Sequence, residues 1–148
     1  MTTHERFILE DGSYIRFKKS GSGKPLILLH TIRNRLEYFD QITPLLENFY
    51  TVYALDLPGF GDSPVNKATN YDQSYMTKAV VDFVKNNKLS KLTLAGESIG
   101  GVLCATVAMM LPKQVEKIFV FNPYDYDTNF GEGVRRANLF ARFIIWNM

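Results

Sequence analysis

A chain of 148 residues, 46% hydrophobic and 22% charged, has the length and composition to bury one hydrophobic core. Its net charge of +2 is scattered, with Lys18-Lys19 and Arg135-Arg136 as the only adjacent basic pairs, so no electrostatic footprint for nucleic acid is present. Cys104 is the single cysteine, which excludes an intrachain disulfide. The only histidines are His4 and His30, and without a Cys/His cluster no metal site and no cofactor are expected. The first residues lack the apolar core of a signal peptide, and no apolar run approaches the roughly 20 residues that span a bilayer. The expectation is a soluble, cytoplasmic protein that acts away from membranes.

In chain order, Arg6 to Leu9 and Tyr14 to Lys18 flank Glu10-Asp11-Gly12-Ser13, and Asp-Gly between two such runs predicts a hairpin. Pro25 to Leu29 is continuously apolar, as in a strand buried on both faces. Leu36 to Asn48 has helical spacing interrupted at Pro44. Tyr50 to Leu55 is a second strand of the buried type. Tyr71 to Asn87 places Ala79, Val80, Phe83 and Val84 at helical spacing, with Asp72 available as a cap. Leu92 to Ala95 is a third such strand, Ser98 to Leu111 a helix rich in small residues and stopped by Pro112, and Val115 to Phe121 a fourth strand. Strand alternating with helix predicts an α/β fold, a mostly parallel doubly wound sheet preceded by an antiparallel hairpin. After Asn122 the pattern changes, with glycines at 131 and 133 and a helical stretch from Val134 to Met148 that carries Phe140, Phe143, Ile144 and Trp146. The chain therefore divides into residues 1–123, a sheet-forming core, and 124–148, a segment of different character.

The strongest chemical signal is Gly96-Glu97-Ser98-Ile99-Gly100, a complete G-x-S-x-G between a strand and a helix. A serine there occupies a sharp turn that lifts its hydroxyl clear of the backbone. The start of the following helix presents a positive dipole end to developing negative charge.

With that turn in place, three segments in order resemble the α/β-hydrolase family: Leu28-Leu29-His30-Thr31-Ile32, Asp56-Leu57-Pro58-Gly59-Phe60-Gly61-Asp62-Ser63, and the serine turn itself. The resemblance is to the branch of serine esterases, carbon–carbon bond hydrolases and cofactor-free haloperoxidases. It implies a truncated α/β-hydrolase core over residues 1–123, with 124–148 the start of a lid. It implies Ser98 as nucleophile, with the backbone N–H groups of Ile32 and Ile99 as the oxyanion hole. Thr31 stands where the family usually has glycine, which narrows the backbone angles open to that loop. Arg33 reads either as a contact for an anionic substrate or as an ordinary surface arginine. His30 belongs by the resemblance to the loop before the oxyanion donor, as a supporting residue. Asp56 and Asp62 belong to a loop that shapes the pocket edge. Asp125 is the candidate acid, since the matching position at the strand end is Asn122, which carries no carboxylate.

No histidine follows Ser98, so the family's order of serine, acid, histidine is left without its base. Two readings stand. One is an acyl-transfer hydrolase of a small ester or related carbonyl substrate, incomplete as it stands. The other is a non-catalytic remnant or interaction module that needs a partner half. On either, the strand Val115 to Phe121 forms an open sheet edge, suited to pairing with a C-terminal half or with a second copy.

Overall fold

The structure is a computed structural model and describes residues 4–123. Asp125 and the apolar stretch from 134 to 148 lie outside the described residues. Two antiparallel strands, β1 (His4–Ile8) and β2 (Tyr14–Ser20), open the chain and pair as a hairpin with Phe7 opposite Ile15. The turn between them closes as Asp-Gly implies, with the Leu9 N–H donating to the Ser13 carbonyl at 2.8 Å. Next come β3 (Lys24–Leu29), a 3-10 turn (Leu36–Phe39), a short helix α1 (Thr43–Leu46) and β4 (Tyr50–Leu55). Then α2 (Gln73–Asn86), β5 (Leu92–Glu97), α3 (Ile99–Met110) and β6 (Val115–Phe121) complete two strand–helix–strand units.

The six strands form one sheet in the order β1-β2-β4-β3-β5-β6. The last four are mutually parallel and the first two antiparallel. The expected alternation is thus the observed one. The stretch from 36 to 48 differs from a single helix. Pro44 lies in the first turn of α1, where its missing N–H costs nothing, and a separate 3-10 turn precedes it. The cap of α2 is the expected Asp72, whose carboxylate accepts from the Tyr75 N–H at 2.8 Å.

Each central strand buries both faces. Ile27, Leu29, Leu55 and Leu94 pack with α2 and α3 on one side, where Phe83, Val84, Leu103 and Val107 close the larger core. Leu26, Leu28, Val52 and Ala54 pack on the other side with Leu36 and Phe39. Phe83 is fully buried and meets Phe7, Phe17 and Tyr53 edge-on, with ring centroids 5.5, 5.0 and 5.8 Å away. It locks the N-terminal hairpin to the parallel part of the sheet.

The strand order has one functional consequence. From β3 the chain moves to β4 on one side, then crosses to β5 on the other, so the order reverses at β3. In open α/β sheets the crevice at the carboxyl ends of the strands flanking such a reversal is where ligands bind. Among the described residues β6 has one strand neighbour, β5, and exposes Ile118, Phe119 and Phe121.

Phe83→Ala should lower unfolding free energy by about 3–5 kcal/mol, read from urea denaturation, because it empties the junction of both sheet parts. Met109→Ala, on the exposed face of α3, should change it by less than about 0.5 kcal/mol. Equal effects would show that the hairpin is not anchored through Phe83.

Candidate active site

The crevice at the reversal is built from the carboxyl ends of three neighbouring strands. Leu29, the last residue of β3, pairs with Gly96 of β5 and with Leu55 of β4. The segments that leave these strands, at His30, Ser98 and Asp56, therefore start side by side.

Ser98 sits between β5 and α3 with φ 55° and ψ −119°, a conformation that a residue with a side chain rarely adopts. Its N–H donates to the Phe121 carbonyl at 2.9 Å, and its own carbonyl accepts from the Val102 N–H at 3.1 Å, which starts α3. The turn can be this tight because its flanks carry no Cβ. A Cβ on Gly96 would collide with the Gly100 backbone, and one on Gly100 would collide with the Leu29 carbonyl and lie 2.8 Å from that of His30. The first turn of α3 thus rests directly on the backbone of the loop that leaves β3. Ser98 lines an open cleft of about 560 Å³ with Thr31, Ile32 and Arg33. Ile32 and Ile99 also line a neighbouring cavity of about 390 Å³, walled by Pro58, Phe60, Val65 and Met76. Ser98, Ile32 and Ile99 are therefore gathered at one corner of the molecule.

His30 is completely buried. Its Nδ1 lies 2.7 Å from the Thr31 carbonyl and its Nε2 lies 3.0 Å from the Leu57 N. A carbonyl only accepts and a backbone N–H only donates, so the ring is the neutral tautomer with the proton on Nδ1. Both nitrogens are committed, and the ring ties the loop after β3 to the loop after β4. Burial pushes its pKa below the ordinary 6.5, against the smaller opposing pull of the Thr31 carbonyl and the charges of Asp56 and Glu37. His4 is no closer to a catalytic place. It lies on β1, four strand spacings from β5, or roughly 19 Å across the sheet.

Asp56 is buried with both oxygens engaged. Oδ2 accepts from Arg16 Nε at 2.6 Å and from the Asp62 N–H at 2.9 Å, while Oδ1 accepts from the Leu36 N–H at 2.7 Å. Gly61, at φ 57°, lets the loop curl onto this carboxylate, which a Cβ there would strike. Arg16 also reaches Glu37 at 2.9 Å and Asp62 at 2.7 Å, and its backbone N–H donates to Ser63 Oγ at 3.1 Å. This network holds the 56–63 loop to β2 and the 3-10 turn. It escapes sequence reading because Arg16 looks like one more charge in Tyr14-Ile15-Arg16-Phe17-Lys18-Lys19. A second unforeseen contact is the Tyr38 hydroxyl donating to Glu97 Oε2 at 2.5 Å, beside the serine. Asn122, just past β6, has φ 41°. Among the described residues no three His, Cys, Asp or Glu side chains are grouped to hold a metal, and no helix is long and apolar enough to cross a membrane.

The profile of the α/β-hydrolase fold matches residues 24–143, and the chain belongs to that family. A serine hydrolase-like protein of Mus musculus is 31% identical over 134 residues, covering 85% of this chain and 43% of the mouse protein. The pimeloyl-[acyl-carrier protein] methyl ester esterase of Aeromonas hydrophila is 27% identical over 104 residues, covering 70% of this chain and 39% of the esterase. Among solved structures, the epoxide hydrolase CorEH superposes with a TM-score of 0.75 at 29% identity, covering 81% of this chain and 42% of that one. The chain thus spans about two fifths of the length of these relatives, which include both esterase and epoxide hydrolase chemistry.

The His30 arrangement makes a pH prediction. Its stabilising contribution is complete above pH 6.5 and declines as pH falls from there toward the lower folded value, because the unfolded chain takes up the proton first. Unfolding free energy should fall by up to about 1.4 kcal/mol per pH unit over that window. His30→Asn should be less stable at pH 8 but lack this slope. An unchanged slope in the variant would assign the acid sensitivity elsewhere.

Proposed function

We propose that this chain carries the nucleophile half of a serine hydrolase that cleaves a small ester or related carbonyl substrate by acyl transfer. The observation that supports it most is the strained backbone of Ser98 at the head of α3, facing an open cleft. On this reading the Ser98 Oγ attacks the carbonyl carbon while its proton passes to a general base. The oxyanion of the tetrahedral intermediate accepts from the Ile32 and Ile99 N–H groups, each such donor being worth roughly 10²–10³ in turnover. Collapse expels the alcohol and leaves an acyl ester on Ser98, which water then hydrolyses. The apolar cavity beside Ile32 and Ile99 suits the hydrocarbon part of the substrate.

The base is proposed to come from a further segment. His30 is fully occupied by structural hydrogen bonds, and His4 stands at the far edge of the sheet. Asp125 remains the proposed acid on sequence grounds. The exposed edge of β6 is the proposed docking place for the completing half, or for a second copy. The same commitment of both His30 nitrogens favours a second reading, in which the chain alone is a non-catalytic interaction module.

A fluorophosphonate probe tests the first reading. Labelling should map to Ser98 and vanish in Ser98→Ala, and equal labelling of that variant would remove Ser98 as nucleophile. Hydrolysis of p-nitrophenyl acetate separates the two readings. Turnover that rises by about 10³-fold or more when a C-terminal half is supplied supports the enzyme. Turnover that stays at the uncatalysed rate with both halves present supports the module.

A further inference from the structure

We infer that Arg33 is a specificity residue of the Ser98 cleft, selecting substrates that carry a carboxylate or phosphate a short distance from the scissile carbonyl. The inference rests on the proposed role of Ser98 for the word substrate, but the anion preference itself is independent of catalysis.

Among the described residues, Arg33 is the one charged side chain lining the cleft that holds Ser98. The other arginines among the described residues are engaged. Arg6 lies over the Tyr14 ring at 4.6 Å, Arg16 is enclosed by Asp56, Glu37 and Asp62, and Arg35 Nε is 3.3 Å from Glu37. Arg33 makes no ion pair or hydrogen bond to a described residue. Its planar fork, which suits bidentate binding of a carboxylate or phosphate, therefore has no partner among the described residues.

Nor is Arg33 carried on a loose loop. On one side His30 is fixed by both ring nitrogens, and on the other the Leu36 N–H is held by the buried Asp56 carboxylate. Between these anchors Arg33 takes φ 61°, the left-handed region that residues with a Cβ rarely occupy. Lys88, Lys91 and Asn122 share this region of backbone, and at Arg33 it sets the course of a turn between the two anchors. The neighbouring cavity, which shares Ile32 with the cleft, has chiefly apolar walls, and the one acidic residue among its described lining, Asp72, is engaged as the cap of α2. A substrate with an apolar body and one anionic group would place its body against Phe60 and Met76 and its charge at Arg33, with the carbonyl between them at Ser98.

The test is equilibrium binding to the full chain in the Ser98→Ala background, where no turnover intervenes. Monomethyl adipate, an anionic ester, is compared with dimethyl adipate, its neutral analogue, by NMR titration at low salt. The anionic ester should bind about fivefold more tightly, and 0.5 M salt should shrink the difference. Arg33→Gln should bring the two ligands to parity and Arg33→Lys should restore most of the preference. Arg33→Gly, which also relieves the backbone, should behave like Arg33→Gln, so a folding defect in one variant leaves the result readable. Equal affinities in the parent, or a preference that survives both neutral variants, overturns the inference. Fluorophosphonate labelling of the Ser98-containing chain is scored separately. Loss of labelling with the anion preference intact removes the nucleophile reading and keeps Arg33, while intact labelling with no preference does the reverse.

Discussion

The architecture of the site depends on one close approach, the backbone of Gly100 against the backbone of Leu29 and His30. Helix α3 can begin immediately after Ser98 only if its first turn presses on the end of β3, and only a residue without Cβ permits that. The contact does two things at once. It forces the serine into its strained turn, and it sets the helix start beside the loop that carries Thr31, Ile32 and Arg33. Strain of this kind persists only where the surroundings over-determine it, and here the surroundings are packed backbone rather than adjustable side chains.

The second constraint is polar and works on the neighbouring strand end. His30 gives its Nδ1–H to the Thr31 carbonyl and takes the Leu57 N–H on Nε2, so one ring spans two loops. Asp56, two residues from Pro58, binds Arg16, Leu36 and Asp62 from three directions. A buried pair such as Asp56–Arg16 is weak evidence for stability, since both charges must be desolvated. Its use here is positional, because it pins a glycine-rich loop that walls the apolar cavity. Backbone contact, a neutral imidazole and a satisfied ion pair together hold three strand ends in register around an open cleft.

Much of this was legible in the residues. The hairpin followed from Asp11-Gly12, the buried strands from runs such as Ile27-Leu28-Leu29, and the serine turn from its glycines. These signals are local, and local periodicity or turn chemistry decides them. What stayed hidden depends on contacts between distant segments. Arg16 sits in a basic run with Lys18 and Lys19 that reads as solvated surface, yet its strand lies beside the 56–63 loop and buries it. Residues 36–48 carry helical spacing, but the Asp56 carboxylate holds the Leu36 N–H and Pro44 starts a separate turn, so two short pieces form in place of one helix. Arg33 was ambiguous for the same reason, since nothing in Arg33-Asn34-Arg35 tells which arginine meets Glu37 and which faces the cleft.

The most direct test of the central constraint compares two neighbouring glycines by urea denaturation. A Cβ on Gly100 meets backbone that cannot yield, whereas one on Gly101 first meets a Val120 methyl at 2.8 Å that can. Gly100→Ala should cost about 3 kcal/mol and Gly101→Ala about 1 kcal/mol, within the usual range for overpacking. Equal losses, or a Gly100→Ala chain as stable as the parent, would contradict the account.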